Sequence, residues 1–211
     1  MSEKYRFDTM SLHSGHVPDK ETGSRAVPIY QTTSYVFKDT DEAAALYNME
    51  VGGHLYTRIS NPTIATLEQR LASLDGGVSC IACSSGMAAM HLVVSAICSS
   101  GDHIVASNKM YGANINLLQH TMTRFGVKTD FVNPNDLEEI EKSIKPNTKL
   151  VFGEVIGNPG LDVMNVPEVA KICKKKNVPL AIDATFNTPY LMKPISHGAN
   201  IVIHLSLIHI S

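Results

Sequence analysis

The chain has 211 residues, 44% of them hydrophobic, and its 18 basic against 20 acidic side chains leave a formal charge of −2. That balance describes a globular chain able to bury a sizeable core and excludes the strongly basic character of a nucleic-acid-binding protein. No apolar run approaches the roughly 20 residues of a membrane-spanning helix. The polar stretch 1–8 does not read as a secretory leader, and four scattered cysteines suit reduced thiols in the cytoplasm.

Residues 1–60 have poor periodicity and many turn signals, Pro18, Gly23, Pro28 and Gly52-Gly53 among them. They read as an arm, either a lid or a strap onto another subunit. The most chemical part of the arm is Tyr56-Thr57-Arg58: Arg58 offers a planar donor fork for phosphate or carboxylate, or is a plain surface arginine beside a turn. Asn61 then predicts a helix cap, with Pro62 at the first helical position. Ile64, Leu67, Leu71 and Leu74 form an apolar face, and Gly76-Gly77 is the stop.

A strand over 78–83 is expected next, followed by the turn Ser84-Ser85-Gly86 and a helix over 87–97. A strand, a tight Ser-Ser-Gly turn and a helix start together point free backbone N–H groups and the positive end of a helix dipole at one spot, which suits a phosphate. The same residues also make a plain helix cap. Cys80 and Cys83 form a C-x-x-C, but zinc would want a second pair and an activated thiolate would want a helix N-terminus; both are expected to be small core residues. Further along, Ser100-Gly101-Asp102 turns into a strand over 103–106, and Tyr111 leads into a helix closed by Gly126. A strand over 128–132 is followed by a helix to 144 capped by the pair Asn135 and Glu138. After a strand over 150–152 and a loop over 153–164, the pair Asn165 and Glu168 caps a helix to 176 that ends on the solvated Lys174-Lys175-Lys176. Short apolar strands over 179–182 and 201–204 complete the pattern. Strand alternating with helix predicts an α/β fold with a mostly parallel sheet and flanking helices, with 61–204 as one domain.

In open parallel sheets ligands sit at the carboxyl ends of the strands. That rule gathers Ser85-Gly86-Met87, Tyr111, Glu154 with Asn158, and Asp183 onto one edge. An anion cradle, an aromatic face, an amide and a carboxylate suit a flat heteroaromatic cofactor with a phosphate tail and a basic ring nitrogen. Pyridoxal phosphate fits. Ser85, Gly86 and Met87 would hold the phosphate, Tyr111 would stack on the ring, and Asp183 would keep the ring nitrogen protonated. His91, His103 and His197 lack metal-ligand spacing and are expected on helix faces or in loops, so no metal site is assigned. The chain has neither G-x-G-x-x-G nor G-x-x-x-x-G-K-[ST], which disfavours a generic nucleotide-binding domain.

Taken together, Tyr56-Thr57-Arg58 before Asn61-Pro62-Thr63, Ser84-Ser85-Gly86-Met87-Ala88, Gly157-Asn158-Pro159-Gly160 and Asp183-Ala184-Thr185-Phe186 with Thr188-Pro189-Tyr190 resemble the Cys/Met-metabolism family of pyridoxal-phosphate enzymes from about Thr9 to His204. The stretch 23–37 and the loop 157–163 incline the resemblance to the family's O-acetylhomoserine sulfhydrylase branch, with methionine γ-lyase and cystathionine γ-synthase as alternatives. The resemblance implies the aspartate-aminotransferase-like fold (fold type I) and a homodimer or homotetramer in which Tyr56 and Arg58 reach the partner's cofactor phosphate. It implies γ-replacement: acetate leaves Cγ of O-acetylhomoserine, and sulfide or a thiol takes its place. Tyr111 would serve as acid/base at the leaving group, with Thr185 beside Asp183 at the cofactor and Glu154 and Asn158 lining the site.

Two departures from the family stand out. Ala184 replaces the usual Asn after the ring-binding Asp, which removes hydrogen bonds near the site. After His204 the family continues with Ser, a variable residue, Thr and the Schiff-base Lys, whereas this chain reads Leu205-Ser206-Leu207-Ile208-His209-Ile210-Ser211. The expectation is a truncated large domain, a foreign tail over 205–211, and no turnover by the chain as it stands. Pyridoxal-phosphate binding without catalysis is the competing reading.

Overall fold

The computed structural model describes residues 5–207; residues 1–4 and 208–211, and with them part of the tail, lie outside the described residues. The chain divides into two compact units, Met1–Ala82 and Cys83–Ser211.

The first unit holds helices α1 (Phe7–His13), α2 (Thr40–Tyr47) and α3 (Pro62–Asp75). α3 is built as its local sequence dictates. The Asn61 side chain accepts the Thr63 N–H at 2.9 Å, Pro62 opens the first turn, and Gly76 ends the helix in the left-handed region at φ 78°. α1 packs on α3, and the connection is tight at Gly15, where a Cβ would collide with the Thr66 carbonyl and the Gln69 side chain. The apolar stripe of α3 is covered only at its C-terminal end: Leu74 is buried, whereas Ile64 and Leu67 are exposed.

The strand expected over 78–83 does not form. The run is extended, but it belongs to no sheet, and Val78 and Ile81 are exposed. The Ala82 N–H donates instead to the Glu68 carboxylate at 2.8 Å. A strand exists only by pairing, and among the described residues this run has no ladder partner. Cys83 is consequently exposed and Cys80 only partly buried, so neither is the core residue expected. The core thiols are Cys98 and Cys173, which burial pushes up to about 11 and about 12.

The second unit is a five-stranded parallel sheet in the order β2-β1-β3-β4-β5. Its strands are β1 (His103–Ser107), β2 (Lys128–Val132), β3 (Thr148–Glu154), β4 (Leu180–Asp183) and β5 (Ile201–Ile203). The central strands are buried on both faces and divide their side chains by strict alternation. Ile104, Ala106, Leu150 and Phe152 face a cluster with Met90, Val94, Leu118 and Met122. Val105, Val151 and Ile182 face a second cluster with Val166, Val169 and Cys173. Sheet and helices form the α/β fold that the strand–helix alternation predicts.

The connections match the sequence with small shifts. α4 (Gly86–Ile97) starts one residue early, with Ser85 as its cap. After Tyr111 comes α5 (Gly112–Asn116), continued by a π turn (Leu117–Thr121) and a 3-10 turn (Met122–Phe125) up to Gly126 at φ 79°. The cap of α6 (Leu137–Ser143) is Asp136, which accepts the Glu139 N–H at 2.9 Å, one residue later than the expected Asn135–Glu138 pair. Asn135 is instead engaged upstream, its N–H donating to Asn133 Oδ1. α7 (Val166–Lys176) starts on Asn165 as predicted, and α8 (Thr188–Leu191) follows β4. His103 is a buried strand residue rather than a helix-face or loop histidine. Among the described residues no helix is long and apolar enough to cross a membrane.

Candidate active site

Because every ladder in the sheet is parallel, the strand ends converge on one edge. β3 ends on Glu154 and β4 on Asp183, and these two are register partners, so two carboxylates stand side by side on adjacent strands. Asp183 in turn pairs with Ile203, one residue before His204.

Glu154 is 7% exposed and ties the loops together. Its Oε1 accepts the Tyr111 N–H at 2.8 Å and the Asn114 side-chain amide at 3.3 Å; its Oε2 accepts the Asn158 N–H at 3.1 Å. Burial pushes its carboxyl above the usual range, the Asp183 charge adds to that, and the Tyr111, Asn158 and Asn114 donors pull the other way. The loops also meet at Gly157, where a Cβ would overlap the Lys109 carbonyl oxygen. Asn158 thus enters the site region through its backbone. Tyr111 is held at its N–H while its side chain stays half exposed.

Asp183 accepts the Thr185 N–H at 2.9 Å. Burial raises its carboxyl pKa; hydrogen bonds from Thr185 and the charge of His204 lower it. A carboxylate disfavoured by burial gains most from a cation brought to it, and a protonated ring nitrogen is such a cation. At α4 the Ser85 hydroxyl accepts the Ala88 N–H at 3.1 Å, so its side chain caps the helix. That leaves the Gly86 and Met87 N–H groups of the first turn without an intrahelical partner, for a ligand or solvent. Gly86 faces Leu205: a Cβ there would overlap the Leu205 side chain. Leu205, Met87 and Ile203 pack with one apolar cluster, so the end of β5 neighbours both the α4 start and Asp183. In the N-terminal unit, the Arg58 guanidinium lies 5.4 Å over the Tyr56 ring, so the structure brings these two to each other.

Three further residues were not singled out by sequence reasoning. Asn114 is a buried polar residue one turn after Tyr111, a spacing that could have flagged it. Leu205 and His204 act through contacts that only the fold creates, and no local signal marks them. A capped helix start, an aromatic ring and a partly buried carboxylate at one sheet edge together fit pyridoxal phosphate in the chemistry of their donors.

Comparison with known proteins identifies the family. Residues 8–210 match the model of the Cys/Met metabolism PLP-dependent enzymes. The chain is 46% identical to O-acetyl-L-homoserine sulfhydrylase of Leptospira meyeri over 97% of its own length and 46% of that protein's. It is 37% identical to L-methionine gamma-lyase of Treponema denticola over 96% of its length and 51% of that protein's. A Campylobacter jejuni structure, solved as a proposed O-acetylhomoserine (thiol)-lyase with a pyridoxyl-lysine monophosphate residue, superposes with a TM-score of 0.93 at 38% identity; the match covers 95% of this chain and 49% of that one. The chain therefore spans about half the length of the relatives it matches. With the family model covering nearly all of it, the chain belongs to the Cys/Met metabolism family of PLP-dependent enzymes.

Proposed function

We propose that this chain is the cofactor-binding front half of an enzyme that replaces the acetyl-bearing oxygen of O-acetylhomoserine with sulfide or a thiol, giving homocysteine or a thioether and acetate. The observation that carries the reading is the convergence of the α4 start, Tyr111 and Asp183 on the carboxyl edge of one parallel sheet. The identity to O-acetyl-L-homoserine sulfhydrylase supports γ-replacement over γ-elimination.

Pyridoxal phosphate supplies an electron sink for charge that develops at the substrate's Cα. The chain's own residues do the rest. Backbone N–H groups of Gly86 and Met87 at the capped start of α4 hold the phosphate. Asp183 holds a proton on the ring nitrogen. The Tyr111 ring covers one face, and its hydroxyl moves a proton at the leaving acetate. Asn158 and Glu154 line the site beside the Tyr111 loop. Tyr56 and Arg58 reach the phosphate held by a second copy, as the arm over residues 1–60 would allow, and four cysteines in a chain of this length suit a cytoplasmic setting.

The test begins with pyridoxal phosphate titrated into the purified chain and followed by its absorbance and induced circular dichroism. Saturable binding weakened by Asp183→Asn is expected; binding indifferent to that substitution overturns the assignment. The sequence carries no lysine after Lys193, so the 211-residue chain is expected to release no homocysteine from O-acetylhomoserine and sulfide. Robust release would refute that expectation. In a chain continued from His204 into the family's lysine, homocysteine from O-acetylhomoserine plus sulfide without methanethiol from methionine would separate replacement from elimination.

A further inference from the structure

The buried carboxylate of Glu154 has more to do than line a wall. It is the last residue of β3, and it serves two different loops with its two oxygens. Oε1 takes the Tyr111 N–H at 2.8 Å and the Asn114 amide at 3.3 Å, both on the β1 side; Oε2 takes the Asn158 N–H at 3.1 Å, on the β3 side. Tyr111 is the N-cap of α5 yet makes no side-chain capping bond. In an ordinary capping box, the residue three positions into the helix reaches back to the cap's N–H. Here Asn114 occupies that position and donates to Glu154, and Glu154 takes the cap's N–H as well. The carboxylate of a distant strand thus completes the cap. The overlap that any Cβ at Gly157 would create with the Lys109 carbonyl shows how closely the two loops are drawn together.

The chemistry requires a carboxylate. All three groups pointing at it are donors, and an ionised carboxyl accepts at both oxygens with no proton of its own to place among them. Glutamine would present an NH2 to one of the two N–H groups and release one loop. Aspartate is one methylene too short to span both. The position is also an unfavourable one for a charge, because it is buried and Asp183 stands beside it on β4.

We propose that Glu154 is a positioning residue, a two-sided clasp whose ionised carboxyl locks the Tyr111 loop to the Asn158 loop and so sets the Tyr111 ring against the cofactor. The link to the cofactor rests on the function proposed above; the clasp itself rests on the hydrogen bonds alone. An acid/base or stacking group displaced by about 1 Å loses on the order of a hundredfold in rate, which is the reason such a clasp would be retained at a cost in stability.

The clasp is tested on the chain as it is, by 15N amide NMR across pH. The Tyr111 and Asn158 amides are expected to titrate with one shared midpoint, that of Glu154. In Glu154→Gln that titration disappears, and at least one of the two amides exchanges with solvent tenfold faster or more, while the amides of Val105 and Val151 keep their protection. Separate midpoints, or unchanged exchange in Glu154→Gln, overturn the clasp. If Glu154→Gln does not fold, the titration of the unsubstituted chain still decides. A second readout uses pyridoxal phosphate as the probe. Its induced circular dichroism is expected to fall severalfold in Glu154→Gln, whereas an unchanged signal overturns the link between clasp and ring. No signal even from the unsubstituted chain sinks the proposed function, and the clasp is then judged on the amides alone.

Discussion

At the scale of single residues, His103 shows what burial does to a titratable ring. Its Nδ1 lies 2.9 Å from Thr148 Oγ1, which also accepts the Lys145 N–H at 2.7 Å. Its Nε2 lies 3.2 Å from the Asp130 carboxylate and 3.3 Å from Lys145 Nζ. Lys145 also pairs with Asp130 and holds its carboxyl below the usual range, so the aspartate's charge is largely matched without the histidine. Burial, with the Lys145 charge next, lowers the His103 pKa from its ordinary 6.5. A histidine depressed in the folded state is protonated first in the unfolded state. Its contribution to stability is therefore complete above about pH 6.5 and shrinks as pH falls toward its folded value. Melting temperatures across pH 5 to 8 should show that fall, and His103→Gln should flatten it. Gly157 makes a second residue-scale prediction. Gly157→Ala forces a methyl into the Lys109 carbonyl, a backbone atom that cannot step aside, so a loss of about 1–3 kcal/mol is expected in urea denaturation. Neither feature was legible in the sequence. His103 gave no sign of being buried beside Asp130 and Lys145, because those partners lie 27 and 42 positions along the chain, a separation that local patterns do not register.

At the scale of elements, legibility tracks how local the determinant is. The Asn61-Pro62 start and Gly76 end of α3, and the Asn165 cap of α7, are written within a few residues and stand where the sequence puts them. The α6 cap slipped by one because Asn135 and Asp136 are both capping types, and the loop geometry chose the second. That choice is measurable. Asp136→Ala should cost about 1 kcal/mol, as the loss of an N-cap does, while Asn135→Ala should cost a few tenths at most; equal costs would contradict the observed cap. The run over 78–83 failed for the opposite reason. Its composition is that of a strand, but a strand is made by its neighbour, and composition carries no information about whether the neighbour is there. The candidate site divides the same way. Glu154 and Asp183 close strands where the sequence puts strand ends, Ser85 and Gly86 open a helix that follows no strand, and Asn114 and Leu205 emerge only once the chain is folded.

At the scale of the molecule, apolar surface is unevenly spread. In the N-terminal unit Ile29, Val36, Met49, Ile59, Leu67, Val78 and Ile81 are all exposed, whereas the second unit buries a two-sided core. Exposed apolar groups on this scale drive association, and among the described residues β2 and β5 are the edge strands of the sheet. Sedimentation of the purified chain should show concentration-dependent self-association, and a monodisperse monomer at tens of micromolar would contradict it. The centre of the second unit should dominate its stability. Phe152→Ala, which empties a fully buried site on β3, is expected to cost about 3–5 kcal/mol.

The strand order has a consequence in time as well as in space. β1 and β2 are neighbours both along the chain and in the sheet; β3 then adds on the far side of β1, β4 beside β3, and β5 beside β4. After the first pair, each new strand extends the same growing edge, and none has to be inserted between two already placed. A chain emerging from the ribosome at roughly 5–20 residues per second could therefore lay the sheet down in the order in which it is made. No finished pairing would have to open, and each strand would template the next.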